Sequence, residues 1–295
     1  MPDLPNYFEE RALYNEGAAL LRDLRFMCAP RERVAADTLY FGVELELESV
    51  GEYTATDLIL TAKEVNQDRL WGWKTDGSLT RGIELVTMPM TFKYFNTKFP
   101  WQMFDKLSGQ GESFNRSGNY NAGVHIHMSQ KAFTKDHLFR FMKFHYGNKP
   151  IVTKVGGRDT TMGKFTVQSY TGATGTPTDE VLQQFAATGN SGYDRYTCVN
   201  LNHGGGKQTA ELRYFRSTSN PLRFRGYVEW AHAVYSYTKK ADNALTGEGI
   251  ADYIGQQAEK YPNALAILEG QESHMSKKSR NRAHTLNSWE RANGW

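Results

Sequence analysis

The chain has 295 residues, of which 39% are hydrophobic, 13% aromatic and 23% charged. This composition describes a folded globular protein of one large domain or two small ones, and the aromatic content argues against long disorder. The net charge of +3 is too small to indicate nucleic-acid binding, and no apolar run approaches the roughly 20 residues that a membrane helix needs.

Five segments before residue 110 have the periodicity of regular secondary structure. They are an amphipathic helix over residues 6–28, strands over 39–48, 71–74 and 83–87, and a helix over 96–107. Pro30 ends the first helix, because the residue before a proline disfavours the helical conformation. The turn sequence Asp-Gly-Ser at 76–78 predicts that the second and third strands form a hairpin.

The chain after residue 120 mixes strands and helices without a repeated strand–helix–strand unit. It predicts a strand over 124–129, a helix from the Thr134 cap to about residue 145, a short helix near 179–187, strands over 196–201 and 209–216, and helices over 220–245 and 249–269. The remainder of segment 154–192 is rich in Gly and Thr and predicts loops. The predicted fold class is therefore α+β, with a mostly antiparallel sheet.

Charged side chains share a face on several of these strands, because residues i and i+2 of a strand point to the same side. These sets are Glu44, Glu46 and Glu48 on the first strand, His125 and His127 on the fourth, Glu211 and Arg213 on the last, and Glu84 alone on the second hairpin strand. Each set by itself has an ordinary explanation. The glutamates of the first strand could be the solvent-exposed face of a sheet, and the histidines a polar pair. Glu211 with Arg213 could be a surface ion pair, and Glu84 a charge at a strand end.

The sets taken together indicate a metal site. If the strands are neighbours, carboxylates and imidazole converge on one concave surface, and such a cluster is costly unless cations neutralise it. Oxygen ligands with one imidazole suit Mg²⁺ or Mn²⁺. An arginine beside such ions binds phosphate oxygens, so the combination indicates phosphoryl transfer.

Four segments, in this order, resemble the motifs of the amidoligase family. They are FGVELE at 41–46, KTDGSL at 74–79 with ELVTMP at 84–89, GVHIHMS at 123–129 and TAELRYF at 209–215. The family belongs to the carboxylate–amine ligases that share the glutamine synthetase / glutamate–cysteine ligase fold, and the resemblance covers about residues 39–235. It implies a curved, mostly antiparallel sheet that forms a funnel-like active site, with helices on its outer face. The implied division is an N-terminal helical extension (1–38), a ligase-like catalytic domain (39–275) and a basic C-terminal tail (276–295).

The resemblance also implies roles for individual residues. The implied ligands of two or three Mg²⁺ or Mn²⁺ ions are Glu44, Glu46, Glu84, His125 and Glu211. His127 and Ser129 are expected to lie toward the nucleotide. Arg213 is expected to contact the transferring phosphate, with Arg195 and Arg158 as further phosphate-contacting candidates. Lys74 and Asp76 match motif positions to which we assign no role at this stage.

The implied reaction is an ATP-dependent ligation in two steps. A substrate carboxylate attacks the γ-phosphate of ATP to form an acyl phosphate, and an amine then attacks the activated carbonyl and releases phosphate. Small amino acids, a peptide terminus, a protein side chain or a modified nucleobase all remain open as substrates. Oligomeric state is open as well.

Three other interpretations remain open. A zinc hydrolase of the amidohydrolase type binds its metal through His-x-His on a barrel strand, and it needs further ligands such as His137, His145, His203 or His232. A non-catalytic binding protein can retain a ligase fold. The Gly-rich stretches at 156–157 and 204–206 could cradle phosphate, although they fit no phosphate-loop pattern and read more simply as hairpin turns.

Cysteine usage and the N-terminus predict a cytoplasmic protein. Cys28 and Cys198 are far apart and are expected to be reduced thiols, and the polar, acidic first ten residues do not predict a signal peptide. The resemblance adds a bacterial cell or a phage-infected host as the expected setting. The basic tail is expected to be a solvated terminus.

Overall fold

The architecture is built around one antiparallel sheet. The computed structural model describes residues 7–24, 35, 37–49, 53–66, 69–79, 81–110, 122–158, 163–168, 174–191, 194–202 and 208–270. The strands of these residues are β1 (Tyr40–Glu48), β2 (Trp71–Lys74), β3 (Gly82–Thr87), β4 (Met90–Thr91), β5 (Gly123–Ser129), β6 (Val167–Gln168), β7 (Thr174–Gly175), β8 (Val199–Asn200) and β9 (Thr209–Arg216).

Strand order confirms the predicted fold class. The sheet runs β2-β3-β1-β5-β9-β8, β4 pairs with the first residues of β1, and β6 and β7 form a separate hairpin. Each of these strand pairs is antiparallel, and the sheet is open, with β2 and β8 as its edges. The fold is therefore α+β with an antiparallel sheet.

Helices flank the sheet. In the described part of the chain they are α1 (Tyr7–Leu24), α2 (Ala55–Glu64), α3 (Phe92–Lys98), α4 (Gln102–Gln110), α5 (Lys135–Gly147), α6 (Lys149–Gly156), α7 (Asp179–Thr188), α8 (Pro221–Lys239), α9 (Gly247–Gln256) and α10 (Pro262–Leu268). None of these described helices combines the length and the hydropathy that crossing a membrane requires.

The sheet has one apolar face and one charged face, as the alternation of β1 predicts. The apolar residues of β1 are buried in the hydrophobic core: Phe41, Val43, Leu45 and Leu47. On this side Trp230 of α8 donates to the hydroxyl of Tyr214 on β9 at 2.9 Å. The opposite side, which carries Glu44 and Glu46, is called the front face below.

A bulge in β9 sets which of its side chains reach the front face. Val124 of β5 pairs with Phe215, and Ile126 pairs with Leu212, so two residues of β9 lie opposite His125. Both Tyr214 and Phe215 are buried in the core as a result. Strict alternation from Glu211 would instead place Phe215 on the front face.

Two predicted helices are wrong in the same way. The helix expected over 96–107 is two helices, α3 and α4, and the helix expected over 249–269 is α9 and α10. Each break lies at a proline, Pro100 in the first case and Pro262 in the second. Proline has no N–H to donate and disfavours a helical residue before it, and Phe99 accordingly has an extended backbone.

Other predictions are confirmed or shortened. The Thr134 cap of α5 accepts a hydrogen bond from His137 N, and α7 forms within the Gly- and Thr-rich segment. The helix predicted over 220–245 ends at Lys239. Within the predicted strand 196–201 only Val199–Asn200 joins the main sheet, and Thr197 forms an isolated bridge with Lys164. The helix α2 was missed, although Thr54 and Asp57 form a capping box at its start. Residues 25–28 of the first predicted helix, Cys28, residues 203–207 and the basic tail lie outside the described residues.

The Gly156-Gly157 stretch is the end of helix α6 packed on β9, so its prediction as a flexible hairpin turn is wrong. Gly157 has a φ of +65° and caps the helix in the left-handed conformation. A Cβ on Gly156 would lie 2.2 Å from the carbonyl oxygen of Tyr214. This close approach delivers Arg158, which follows Gly157, to the sheet.

The contact at Gly156 predicts a stability change. Gly156→Ala forces α6 away from β9 and should lower the free energy of unfolding by about 1–3 kcal/mol. Gly255→Ala in α9 is the matched control, because nothing lies within 4 Å of a Cβ there, and the variant should be about 0.5–1 kcal/mol more stable than wild type. Chemical denaturation measures both. Equal effects of the two substitutions would contradict the close approach.

Candidate active site

Strand register brings the charged residues together on the front face. Glu46 of β1 lies directly opposite Glu84 of β3, and Glu44 lies directly opposite His125 of β5. Residues in such positions have their Cβ atoms about 4.5–5.5 Å apart. Neighbouring strands therefore assemble the cluster that the separate sequence segments only suggested.

The first group of metal-capable side chains is Glu44, His125 and Glu211. The Nδ1 atom of His125 lies 3.3 Å from Glu44 Oε2 and 3.7 Å from Glu211 Oε1. One ligand atom from each of the three residues falls within 4.8 Å of the others. His127 joins the edge of this group, since its Nε2 lies 3.3 Å from Glu44 Oε1.

The second group is Glu46, Asp76 and Glu84, whose ligand atoms also lie within 4.8 Å of one another. Asp76 belongs to the turn after β2, and its carboxylate accepts a hydrogen bond from Ser78 N at 2.7 Å. Lys74 places its Nζ 2.9 Å from Glu84 Oε1. The motif position that had no assigned role, Asp76, thus lies among the acidic residues.

The electrostatics of the two groups differ. Burial, together with repulsion from Glu44, raises the pKa of Glu84 to about 8, although Lys74 opposes the change. Burial also acts to raise the pKa of Glu211, but attraction to His127, His125 and Arg213 outweighs it and lowers that pKa to about 2. In the same way the two imidazoles outweigh burial and hold the pKa of Glu44 well below its ordinary value.

These directions fit a cation site. Neighbouring imidazole and guanidinium groups hold the pKa of Glu44 and Glu211 low, whereas burial and repulsion raise the pKa of Glu84, so that it binds a proton where no cation is present. Carboxylate oxygens with one imidazole nitrogen are the ligands of hard or borderline ions such as Mg²⁺ and Mn²⁺. The residues present therefore fit the predicted ions.

Two arginines adjoin the groups. Arg213 Nη1 pairs with Glu211 Oε1 on the front face. Arg158 is only 5% exposed; its Nη1 lies 3.0 Å from His125 Nε2 and donates to the carbonyl of Arg213 at 3.2 Å. Its Nη2 lies 3.5 Å from Glu46 Oε2. Arg158 thus contacts one member of each group.

Gly123 leaves the space that the guanidinium of Arg158 occupies. A Cβ on this glycine would lie 2.2 Å from Arg158 Nη1. The backbone N–H of Gly123 also donates to Glu46 Oε2. A glycine at the first position of β5 therefore serves the site twice, by its missing side chain and by its backbone amide.

Three of the predicted residues lie apart from the two groups. Ser129 accepts a hydrogen bond from Tyr40 N at 3.0 Å and so joins the end of β5 to the start of β1. Glu48 lies further along β1, where it accepts from Arg81 N at 2.9 Å. Arg195 lies in the exposed loop before β8, where its Nη2 donates to the Tyr196 hydroxyl at 3.1 Å.

Two contributing residues were missed by the sequence analysis. Asn200 lies opposite Glu211 in the β8–β9 pair and donates from Nδ2 to Glu211 Oε2 at 2.8 Å. Thr209 Oγ1 lies 3.0 Å from His127 Nδ1. Pairing the two last predicted strands could have suggested Asn200, but that register depends on the intervening loop.

The histidines that a zinc hydrolase would need do not join the site. His137 bonds to the carbonyl of Tyr235, and His145 to the hydroxyl of Tyr214. His232 stacks on Phe92 at 3.9 Å between ring centroids, and His203 lies outside the described residues. The antiparallel sheet is also not a barrel of alternating strands and helices. The geometry of the amidohydrolase alternative is therefore absent from the described part of the chain.

Comparison with known families agrees with the motif resemblance. A family model described as "putative amidoligase enzyme" matches residues 26–235, which is more than two-thirds of the chain. The chain therefore belongs to this amidoligase family, whose description is that of a ligase-type enzyme. Neither a curated protein nor a solved structure matches it.

The raised pKa of Glu84 predicts how stability depends on pH. Between its ordinary value of 4.5 and the raised value of about 8, folded protein holds a proton on Glu84 that unfolded chain has lost. The contribution of Glu84 to stability therefore falls as the pH rises through this window. Glu84→Gln removes this dependence.

Denaturation in EDTA from pH 5 to pH 8 tests this dependence. The free energy of unfolding of Glu84→Gln minus that of wild type should increase steadily as the pH rises. Added Mn²⁺ is the control, because it should stabilise wild type more than the variant at pH 8. Two parallel pH profiles would contradict the shift.

Proposed function

We propose that the protein is an ATP- and Mg²⁺-dependent carboxylate–amine ligase that forms an amide bond through an acyl phosphate. The observation that carries the proposal is the pair of metal-capable groups on one sheet face, with Arg213 beside the first group. Membership of the amidoligase family supports the same reaction class. The front face would then be the wall of a glutamine synthetase-type funnel, with α5 and α8 on the outer face of the sheet.

Each group would hold one cation. Glu44, His125 and Glu211 would bind the first Mg²⁺ or Mn²⁺ ion, and Glu46, Asp76 and Glu84 would bind the second. When bound, these ions would offset the negative charge on the phosphate oxygens of ATP. Asn200 would orient Glu211 through the hydrogen bond to Oε2, as the outer partners of metal ligands commonly do.

The first step would form the acyl phosphate. An oxygen of the substrate carboxylate attacks the γ-phosphorus, the bond to the bridging oxygen breaks, and ADP leaves. Arg213 would contact the equatorial oxygens of the transferring phosphoryl group, where a guanidinium fork stabilises developing charge. Arg195 is a second candidate for this contact. We assign Arg158 instead to holding His125 and Glu46, because its burial favours contact with ligands over contact with substrate.

The second step would form the amide. The nitrogen of a neutral amine attacks the activated carbonyl carbon, the carbon–oxygen bond to phosphate breaks, and inorganic phosphate leaves with its electron pair. A front-face carboxylate would take the proton that the amine loses. The substrates would be small-molecule or peptide carboxylates and amines.

The proposal includes a location in the cytoplasm. An ATP-consuming enzyme whose Cys198 is a buried free thiol suits that compartment.

Phosphate release tests the proposal. Wild-type protein with ATP, Mg²⁺ and a panel of amino acids, peptides and polyamines should release phosphate only when an accepted carboxylate and amine are present. Glu211→Gln should lower that rate by about 100-fold or more, because it removes a metal ligand. Glu48→Gln is the matched control on the same face, and it should retain most of the wild-type rate.

Two other outcomes would contradict the ligase. Turnover that needs zinc and proceeds without ATP would favour a hydrolase. Absence of phosphate release across the panel, together with no calorimetric binding of ATP in Mg²⁺, would favour a non-catalytic protein.

A further inference from the structure

Tyr196, in the loop before β8, has three cations around its ring. The ring centroid lies 5.1 Å from Arg195 Cζ, 5.7 Å from Arg213 Cζ and 5.7 Å from Lys164 Nζ. A cation within about 6 Å of an aromatic centroid is attracted by the negative face of the ring. The sequence analysis did not single out this tyrosine, because its partners come from three separate segments.

The backbone holds the Tyr196 ring in a fixed position. Lys164 N donates to the Tyr196 carbonyl at 2.7 Å, and Cys198 N donates to the Lys164 carbonyl at 2.8 Å. On the other side, Tyr196 N donates to Asp194 Oδ1 at 2.8 Å. Hydrogen bonds on both sides of the residue therefore fix the main chain from which the ring projects.

The three cations differ in how their charge is balanced. Lys164 pairs with Asp194 at 3.0 Å, and Arg213 pairs with Glu211. The ion pairs found among the described residues do not include Arg195, which is bonded instead to the Tyr196 hydroxyl. Both guanidinium groups thus lie within about 6 Å of the same ring centroid, and the ring rather than a carboxylate is the partner found for Arg195 in the described part of the chain.

This arrangement has a consequence for anion binding. Two guanidinium groups near each other repel, and each would move into solvent if nothing held it. The face of one shared ring attracts both, and unlike a carboxylate it leaves their N–H donors unneutralised. Arg195, and the donors of Arg213 other than the Nη1 that pairs with Glu211, therefore remain able to bind an anion beside the first metal-capable group.

We propose that Tyr196 is a positioning residue that holds Arg195 and Arg213 in the orientation that receives the transferring phosphate. The inference rests on the proposed function, since it gives both arginines a phosphate to bind. Tyr196 acts through the two guanidinium groups and contacts neither group of metal-capable residues. Its ring holds both arginines, and its hydroxyl adds a hydrogen bond to Arg195 alone.

Variants separate the ring from the hydroxyl. Tyr196→Phe keeps the ring, and Tyr196→Leu removes it. Tyr253→Leu on α9 is the matched control, because Tyr253 lies under Lys240, 5.8 Å from Nζ to the centroid, away from the site. Calorimetry in Mn²⁺ with a non-hydrolysable ATP analogue gives the nucleotide affinity, and Mn²⁺ alone gives the metal affinity.

The expected result is a graded loss of nucleotide affinity. Tyr196→Leu should weaken binding by about 5-fold to 30-fold, the combined loss of two cation–π contacts, and Tyr196→Phe by no more than about threefold. Mn²⁺ affinity should not change, and Tyr253→Leu should match wild type. Wild-type affinity in Tyr196→Leu would overturn the inference, and so would a parallel loss of Mn²⁺ affinity, which indicates a merely structural role.

Nuclear magnetic resonance supplies a readout that needs no ligand. The side-chain Nε–Hε signals of Arg195 and Arg213, assigned with Arg195→Lys and Arg213→Lys, should show upfield ring-current shifts in wild type and Tyr196→Phe. Tyr196→Leu should abolish the shifts, and their absence in wild type would overturn the inference. If wild-type protein binds no nucleotide, the proposed function itself is contradicted. If the ring-current shifts are nevertheless present in that case, Tyr196 only packs against the arginines and positions them for no phosphate.

Discussion

The arrangement of the whole site depends on the repulsion among carboxylates held on one sheet face. Glu46 and Glu84 lie directly opposite each other on paired strands, a position in which like charges destabilise a sheet. Glu84 is only 2% exposed, so water screens little of that repulsion. The residues around these two glutamates offset part of the negative charge that the sheet holds.

Positive and neutral partners compensate the acidic residues from each direction. Lys74 of the edge strand β2 pairs with Glu84. Arg158, which follows α6, pairs with Glu46. The two histidines of β5 stand between Glu44 and Glu211 and keep both ionised. These partners leave Glu84 with a raised pKa, which means that the compensation is incomplete without a further cation. In the function that we propose, a divalent ion would supply the missing charge.

Local patterns in the sequence predicted the strands and the composition of each face. The alternation of β1 was sufficient to separate its core residues from Glu44 and Glu46, because side chains of a strand alternate strictly. The breaks at Pro100 and Pro262 and the capping box at Thr54 were also readable from local sequence. The two undivided helices came from applying helical periodicity across residues that interrupt it, whereas the signal for α2 was overlooked.

Features that depend on distant pairing were not predictable in the same way. The bulge opposite His125, which buries Phe215, follows from how β5 and β9 meet rather than from either segment alone. The approach of Asp76 to Glu46 needs the β1–β3 register. The position of Arg158 needs Gly123 and Gly156, where a side chain would clash, and Gly157, which takes a positive φ. Strand alternation singled out the acidic residues and the family resemblance implied their role as ligands, but the contacts of Arg158, Asn200 and Tyr196 required the three-dimensional arrangement.

Anomalous diffraction from crystals soaked in Mn²⁺ tests the central claim most directly. We expect two peaks on the front face. One should lie within bonding distance of Glu44, His125 and Glu211, and the other within bonding distance of Glu46, Asp76 and Glu84. Glu46→Gln should remove the second peak and keep the first. Crystals that hold Mn²⁺ away from these side chains, or that show none at saturating concentration, would contradict the account.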